Sequence, residues 1–158
     1  MRVQIDTREK PQKNAHIERY LLDEGIPFHR SKNYVGDYYS LASPYVVVER
    51  KANVLEFAGN AGKNHDRFKR ELMRCDDIGA KMYIVIEEDI GGLEGLKTWT
   101  NKRSQMKGEI LYKICKTWME RHNIEFVFCS KQDSPREIVK ILRGGHKVEQ
   151  SSNYRQPN

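Results

Sequence analysis

Residues 35–51 read VGDYYSLASPYVVVERK. β-Branched and aromatic residues dominate Val35 to Leu41 and Tyr45 to Lys51, and Ala42-Ser43-Pro44 between them is turn chemistry. The stretch therefore predicts an antiparallel hairpin. A loop centred on Ser43 sets Asp37 across from Glu49, Tyr39 across from Val47 and Val35 across from Lys51. Residues opposite one another, or two apart along a strand, share a face, so Asp37, Glu49 and Lys51 converge. Arg50 points the other way, between Val46 and Val48. Two facing carboxylates repel unless a cation lies between them. Their oxygens suit Mg²⁺ or Mn²⁺, which keep waters and complete their shell from substrate phosphate. A Lys two residues from one donor can orient or deprotonate a water, or stabilise charge on phosphate. The outline is that of a phosphodiester-hydrolysing site. Charges that merely keep an edge strand soluble would give the same spacing.

Gly36-Asp37 followed by Glu49-Arg50-Lys51 resembles the GD…ERK signature of the XPF/Hef-type nuclease domain, a branch of the PD-(D/E)XK superfamily. Ile5-Asp6-Thr7-Arg8-Glu9 is similar to the first-strand VDxRE motif of that family. Both motifs come in the family's order, and the resemblance runs from about Val3 to about Leu142, in a stand-alone, phage- or bacterial-like form. It implies a restriction-endonuclease-like α/β three-layer sandwich with a central mixed β-sheet flanked by helices. It also implies a Mg²⁺- or Mn²⁺-dependent endonuclease acting on branched, flap or fork DNA. By that resemblance Asp37, Glu49 and Asp6 would hold metal and Lys51 would serve the water, while Asp6, Arg8, Glu9 and Arg50 would support the site. The family often carries an Asp four residues after the Lys. Here that position is Leu55, and Glu56 is the candidate substitute, although one residue turns a helical side chain by about 100°. Leu55 supports the alternative of a non-catalytic DNA-binding or scaffold module that has kept the fold. A restriction-type nuclease reading duplex sequence would share the hairpin chemistry.

A chain of 158 residues is long enough for one domain with a proper core, read as residues 1–143, ahead of a polar, flexible tail at 144–158. Hydrophobic residues make up 38% and charged ones 32%, and the formal net charge is +6. A basic balance favours an anionic partner, for which nucleic acid is the expectation. No apolar run reaches membrane-spanning length, and the first ten residues hold no signal core. The chain is expected to stay where it is made: cytoplasm, host cytoplasm if phage-encoded, or nucleus if eukaryotic. Cys75, Cys115 and Cys129 are odd in number and lack CxxC spacing, which predicts buried free thiols.

Outside the hairpin, the periodicity predicts a strand at Val3–Asp6, a helix from Pro11 to about Glu24, and a strand starting near Ile26-Pro27-Phe28. His16 falls on the polar side of that helix, as a solvated residue. A short helix at Asn53–Phe57 precedes a loop at Gly59–Asn64. A second helix follows at about Asp66–Ile78, buried through Phe68, Leu72, Cys75 and Ile78. Its outer face carries Arg67, Lys69, Arg70 and Arg74, either simply solvated or contacting the phosphate backbone of DNA. Lys81–Ile86 predicts a central strand, and Glu87-Glu88-Asp89 an exposed strand end or a secondary metal site. Trp99 either anchors its loop or stacks on a base. Ser104–His122 predicts the longest helix, with Ile110, Leu111, Ile114, Cys115, Trp118 and Met119 as its stripe. Because domains of the resembled family pair through later helices, part of that stripe is a candidate dimer face. Without a tandem helix-hairpin-helix module, the chain would grip DNA through its own surface, as a homodimer or with a heteromeric partner. Ile124–Cys129 predicts the last strand. Ser134-Pro135-Arg136-Glu137 predicts a capped helix start, with Ser134 as N-cap.

Overall fold

A computed structural model of the protein describes residues 1–144, so the expected tail from residue 145 onward lies outside the described residues. Twelve elements follow one another: β1 (Val3–Asp6), α1 (Pro11–Asp23), β2 (Phe28–Ser31), β3 (Tyr38–Ser40), β4 (Ser43–Lys51), α2 (Val54–Ala61), α3 (His65–Asp77), β5 (Lys81–Ile86), a short 3₁₀ helix (Leu93–Thr98), α4 (Gly108–Arg121), β6 (Ile124–Phe128) and α5 (Ser134–Leu142). The strands form one six-stranded sheet in the order β2-β1-β3-β4-β5-β6. The β1–β3 and β3–β4 pairs are antiparallel and the others parallel, so the sheet is mixed.

Both faces of the sheet are covered. In β5 the side chains alternate: Tyr83 and Val85 pack with Ile17 and Leu21 of α1 and Ile138 and Leu142 of α5. Met82, Ile84 and Ile86 pack the other way, with Phe57 of α2, Phe68 and Leu72 of α3, and Leu111 and Cys115 of α4. A strand buried on both faces reads as a continuous apolar run, which is why Lys81–Ile86 stood out in the sequence. The result is the expected three-layer α/β sandwich.

The hairpin keeps the Ser43-centred register only near its middle, where Tyr38 pairs with Val48 and Tyr39 with Val47. A shift between Tyr39 and Ser40 then pairs Ser40 with Ser43. Nor does the first strand start at Val35. Gly36 has φ +75°, which breaks the extended run, and Val35 turns into the core against Val47 instead of facing Lys51. A Cβ at Gly36 would stand 3.2 Å from both Val47 Cβ and the Val48 carbonyl oxygen. Gly36→Ala is therefore expected to lower stability by about 1–3 kcal/mol, seen as a fall in the denaturant midpoint at constant slope.

Several other expectations shift. Helix α2 continues to Ala61 and absorbs the expected loop at Gly59–Ala61, because Ala58 and Ala61 are buried against the core. Helix α4 starts at Gly108 rather than Ser104, at a point where a Cβ would meet the Leu96 carbonyl oxygen at 1.9 Å. Its inward line is Leu111, Cys115 and Trp118, while Ile110 and Met119 are exposed, as is Ile78 just past α3. Trp99 is buried and anchors its loop. Ser134 is not an N-cap acceptor: its hydroxyl donates to Glu87 and the cap position is Asp133. All three cysteines are free; Cys75 and Cys115 are buried and Cys129 half-buried. Burial pushes the Cys75 thiol up to about 11 and Cys129 to about 12. No described helix is long and apolar enough to cross a membrane.

Candidate active site

Strands β1 and β4 run the same way, and their carboxyl ends open onto a cleft of about 360 Å³. Such strand ends are where open α/β sheets bind ligands. Strand β4 delivers Glu49 and Lys51 to one face of the sheet and the buried Arg50 to the other, through the two-residue alternation of an extended chain, and at the strand's end all three reach the cleft lining. The Gly36 bend delivers Asp37, α2 delivers Glu56, and α3 delivers Arg67 and Glu71.

Asp37 Oδ2 accepts the Arg50 backbone N–H at 2.8 Å, and the Asp37 N–H donates to the Val48 carbonyl at 2.8 Å. These bonds fix the carboxylate against β4. Lys51 Nζ donates to Glu49 Oε1 at 3.1 Å and lies 5.7 Å from the centre of the Phe68 ring. Burial, then the charges of Glu49 and Glu9, hold the Asp37 carboxyl well above the usual range, against the Arg50 N–H and the Lys51 charge. Burial also raises Glu49, opposed by Lys51 and reinforced by Glu71. On Lys51 burial acts downward, but the charges of Glu49 and Asp37 outweigh it and the ammonium is held above its usual value. The two carboxylates thus favour the ammonium form of Lys51 over the neutral amine.

A raised carboxyl pKa in the folded state has a definite sign. The Asp37 charge opposes folding once the pH is above its unfolded value, increasingly so until the raised folded value is passed, and has no effect below about pH 4. In EDTA at pH 7–8, Asp37→Asn should raise the melting temperature, by roughly 2–4 °C for each kcal/mol of repulsion relieved. The gain should disappear as the pH is brought below about 4. Thermal melts across that range check both parts.

The remaining residues expected at the site divide by duty. Both oxygens of Asp6 are taken: Oδ2 by Arg8 Nε at 2.6 Å and Oδ1 by the Asn33 N–H at 2.8 Å. Asp6 thus aims Arg8, which lines the cleft half-exposed, rather than offering a free oxygen to a metal. Glu9 and Arg50 lie beneath the site. Arg50 Nη2 and Nε donate to Glu9 at 2.7 and 3.1 Å, Nη1 donates to Glu87 at 2.5 Å, and the Tyr38 hydroxyl donates to Glu9 at 3.0 Å. Glu87 is consequently no exposed strand end. It is buried between Arg50, Ser134 and His16, and His16 is its partner rather than a solvated residue. Of the basic residues on α3, Arg67 lines the cleft, Lys69 and Arg70 face solvent away from it, and Arg74 is paired with Glu71.

Glu71 is the residue the sequence reading passed over. Its Oε1 accepts the Gly36 N–H at 2.9 Å, clasping α3 to the bend that carries Asp37. The signal was present: Arg67, Glu71 and Arg74 follow one helical stripe at spacings of four and three. Glu56 lines the cleft, whereas Leu55 packs against the core and a separate shallow groove. The one-residue offset therefore puts the acid on the cleft side. Glu56 also ties down the start of α2: its N–H donates to the N-cap Asn53 Oδ1 at 2.8 Å and its Oε2 accepts the N–H of Ala52, one residue before the cap, at 2.9 Å.

The donor set fits a small hard cation. Asp37 Oδ1 and Glu49 Oε2 take no hydrogen bond from a described residue, and both side chains line the same cleft. No cluster of three or more metal-ligating side chains occurs among the described residues. Two carboxylates with water and phosphate completing the shell is a Mg²⁺-like arrangement.

A family profile described as ERCC4 domain matches residues 5–142. Two solved structures share the fold. XPF from Aeropyrum pernix aligns with a TM-score of 0.65 at 18% identity over 90% of this chain and 64% of its own. The same organism's XPF in complex with DNA aligns with a TM-score of 0.68 at 20% identity, over 90% of this chain and 63% of its own. The chain thus spans less than two thirds of those proteins. Comparison with curated protein sequences gave no match.

Proposed function

This chain belongs to the ERCC4 domain family of nucleases, and from that premise we propose that its cleft is the active site of a divalent-metal-dependent DNA endonuclease selective for branched, flap or fork structures. The observation that carries the reading is the convergence of Asp37, Glu49 and a charged Lys51 in one cleft, with one oxygen of each carboxylate free of hydrogen bonds. Asp37 and Glu49 would hold Mg²⁺ or Mn²⁺, which when bound supplies a Lewis acid for a phosphoryl oxygen and a more acidic water. Lys51 holds its ammonium against Glu49 and offers its remaining protons to an oxygen of the reacting phosphate. Arg8 and Arg67 hold flanking phosphates, which positions the strand without reading its sequence. Lys69 and Arg70, exposed on α3 outside the cleft, would meet only DNA that runs beyond it, while Arg74 is committed to Glu71. Glu56 faces Lys51 across the cleft and adds to its charge stabilisation. Pairing with a second copy or another protein would use the exposed Ile110 and Met119 on α4.

The test is cutting of end-labelled fork, flap and linear duplex DNA in Mg²⁺, Mn²⁺ or EDTA. Metal-dependent nicking near the branch is expected, and identical band patterns in Mn²⁺ and EDTA would refute the enzyme reading. Leu55, turned away from the cleft, favours the second reading of a DNA-binding module without catalysis. Salt-sensitive binding of DNA with no calorimetric response to Mn²⁺ would select that one.

A further inference from the structure

We propose that Tyr34 is a stacking platform for an unpaired base beside the phosphate to be cut. The idea rests on the nuclease reading of the cleft and adds a reason for it to prefer DNA whose strands part. Tyr34 is 58% exposed, and among the described residues its ring and hydroxyl have no hydrogen-bond or ring partner. Its neighbours are as firmly held as any in the chain. Asn33 is buried and makes four hydrogen bonds: its N–H donates to Asp6 Oδ1 at 2.8 Å and its Nδ2 to the Gly36 carbonyl at 3.2 Å. Its Oδ1 accepts from Gln4 Nε2 at 2.9 Å, and its carbonyl accepts from Arg8 Nη2 at 3.3 Å. On the other side Val35 is buried in the core, and the Gly36 N–H is clasped by Glu71 at 2.9 Å.

The place of this ring follows from those contacts. Arg8, which touches Asn33, lines the cleft, and so does Gly36 two residues beyond Tyr34. Tyr34 thus lies outside the cleft lining itself, in the short segment between Asn33, which holds Arg8, and the cleft-lining Gly36 and Asp37, and Lys10 and Lys13 line the same cleft from α1 and its preceding residue. Cations for the backbone beside an aromatic face for a base is the arrangement by which proteins hold single strands. A base inside a duplex has both faces covered by its neighbours, so the ring selects a nucleotide at or next to a branch. Because the backbone on both sides is fixed by burial and hydrogen bonds, only the side-chain torsions of Tyr34 are left to be ordered on contact.

Binding of the full chain, held in Ca²⁺ in place of Mg²⁺, is compared for a fork with 2-aminopurine as the first unpaired base and for a fully paired duplex of equal length. Tyr34→Ala is expected to weaken fork binding about tenfold and to abolish the change in 2-aminopurine fluorescence, with duplex affinity unchanged. Tyr34→Phe should behave like the unaltered chain. An equal loss on both DNAs, no loss on either, or a fluorescence change that survives in Tyr34→Ala would overturn the proposal. If the unaltered chain bound neither DNA, the nuclease reading would fall with it. If that chain cut forks in Mn²⁺ and Tyr34→Ala bound and cut them equally well, only the stacking role would fall.

Discussion

Lys51→Ala is expected to reduce metal-dependent cleavage by at least about 100-fold, the effect of removing one charged donor aimed at a reacting oxygen in a partly dry site. Its side chain is only 9% exposed, is hydrogen-bonded to Glu49, and is held cationic by Glu49 and Asp37. The same substitution removes a positive charge beside the two carboxylates, so Mn²⁺ affinity should hold steady or rise while turnover collapses. A loss caused by unfolding or by a missing ion would lower both. Lys51→Arg is not expected to restore the rate, because a planar guanidinium cannot occupy the place of a compact ammonium against Glu49 and the Phe68 ring. Single-turnover cleavage and a calorimetric Mn²⁺ titration on the same preparation separate these outcomes.

The largest loss of stability is expected at the neighbouring residue. Arg50 is 4% exposed, between Glu9 and Glu87, which are themselves nearly inaccessible. Removing one member of a buried ion cluster leaves uncompensated charge and typically lowers stability by about 3–5 kcal/mol. Arg50→Met should do so, read as a drop in the urea midpoint. Combining it with Glu9→Gln and Glu87→Gln should recover much of the loss, because the uncompensated charges are then gone. The cluster spans the loop after β1, β3, β4, the end of β5, α1 through His16 and α5 through Ser134. Arg50 therefore supports the site from beneath, by holding together the elements that carry Asp37, Glu49 and Lys51.

These two neighbours illustrate what the sequence could and could not convey. The alternation of β4 sends Glu49 and Lys51 to one face and Arg50 to the other, and period-two reasoning is enough to see it. The burial of Lys81–Ile86 on both faces is equally legible, as a continuous apolar run between a helix and a turn. Partners distant in the chain were not. Nothing local says that Glu87 will meet Arg50, His16 and Ser134, so it read as an exposed acid and His16 as a solvated one. The Gly36 bend was hidden because Val35 and Tyr38 on either side have strong strand preference, while the positive φ between them is set by tertiary contacts with Val47 and Val48. Glu71 escaped for a related reason: four cations on its helix suggested a surface, and only the folded chain brings its carboxylate to the Gly36 N–H.

The central claim is that Asp37 and Glu49 share one divalent cation in the cleft at the end of β4. Anomalous diffraction from crystals of the protein soaked in Mn²⁺ addresses it most directly. A peak within bonding distance of both carboxylates, beside Lys51, is the predicted result. A peak elsewhere, such as at Glu88 and Asp89, or no peak under conditions where the protein cuts DNA, would contradict the claim.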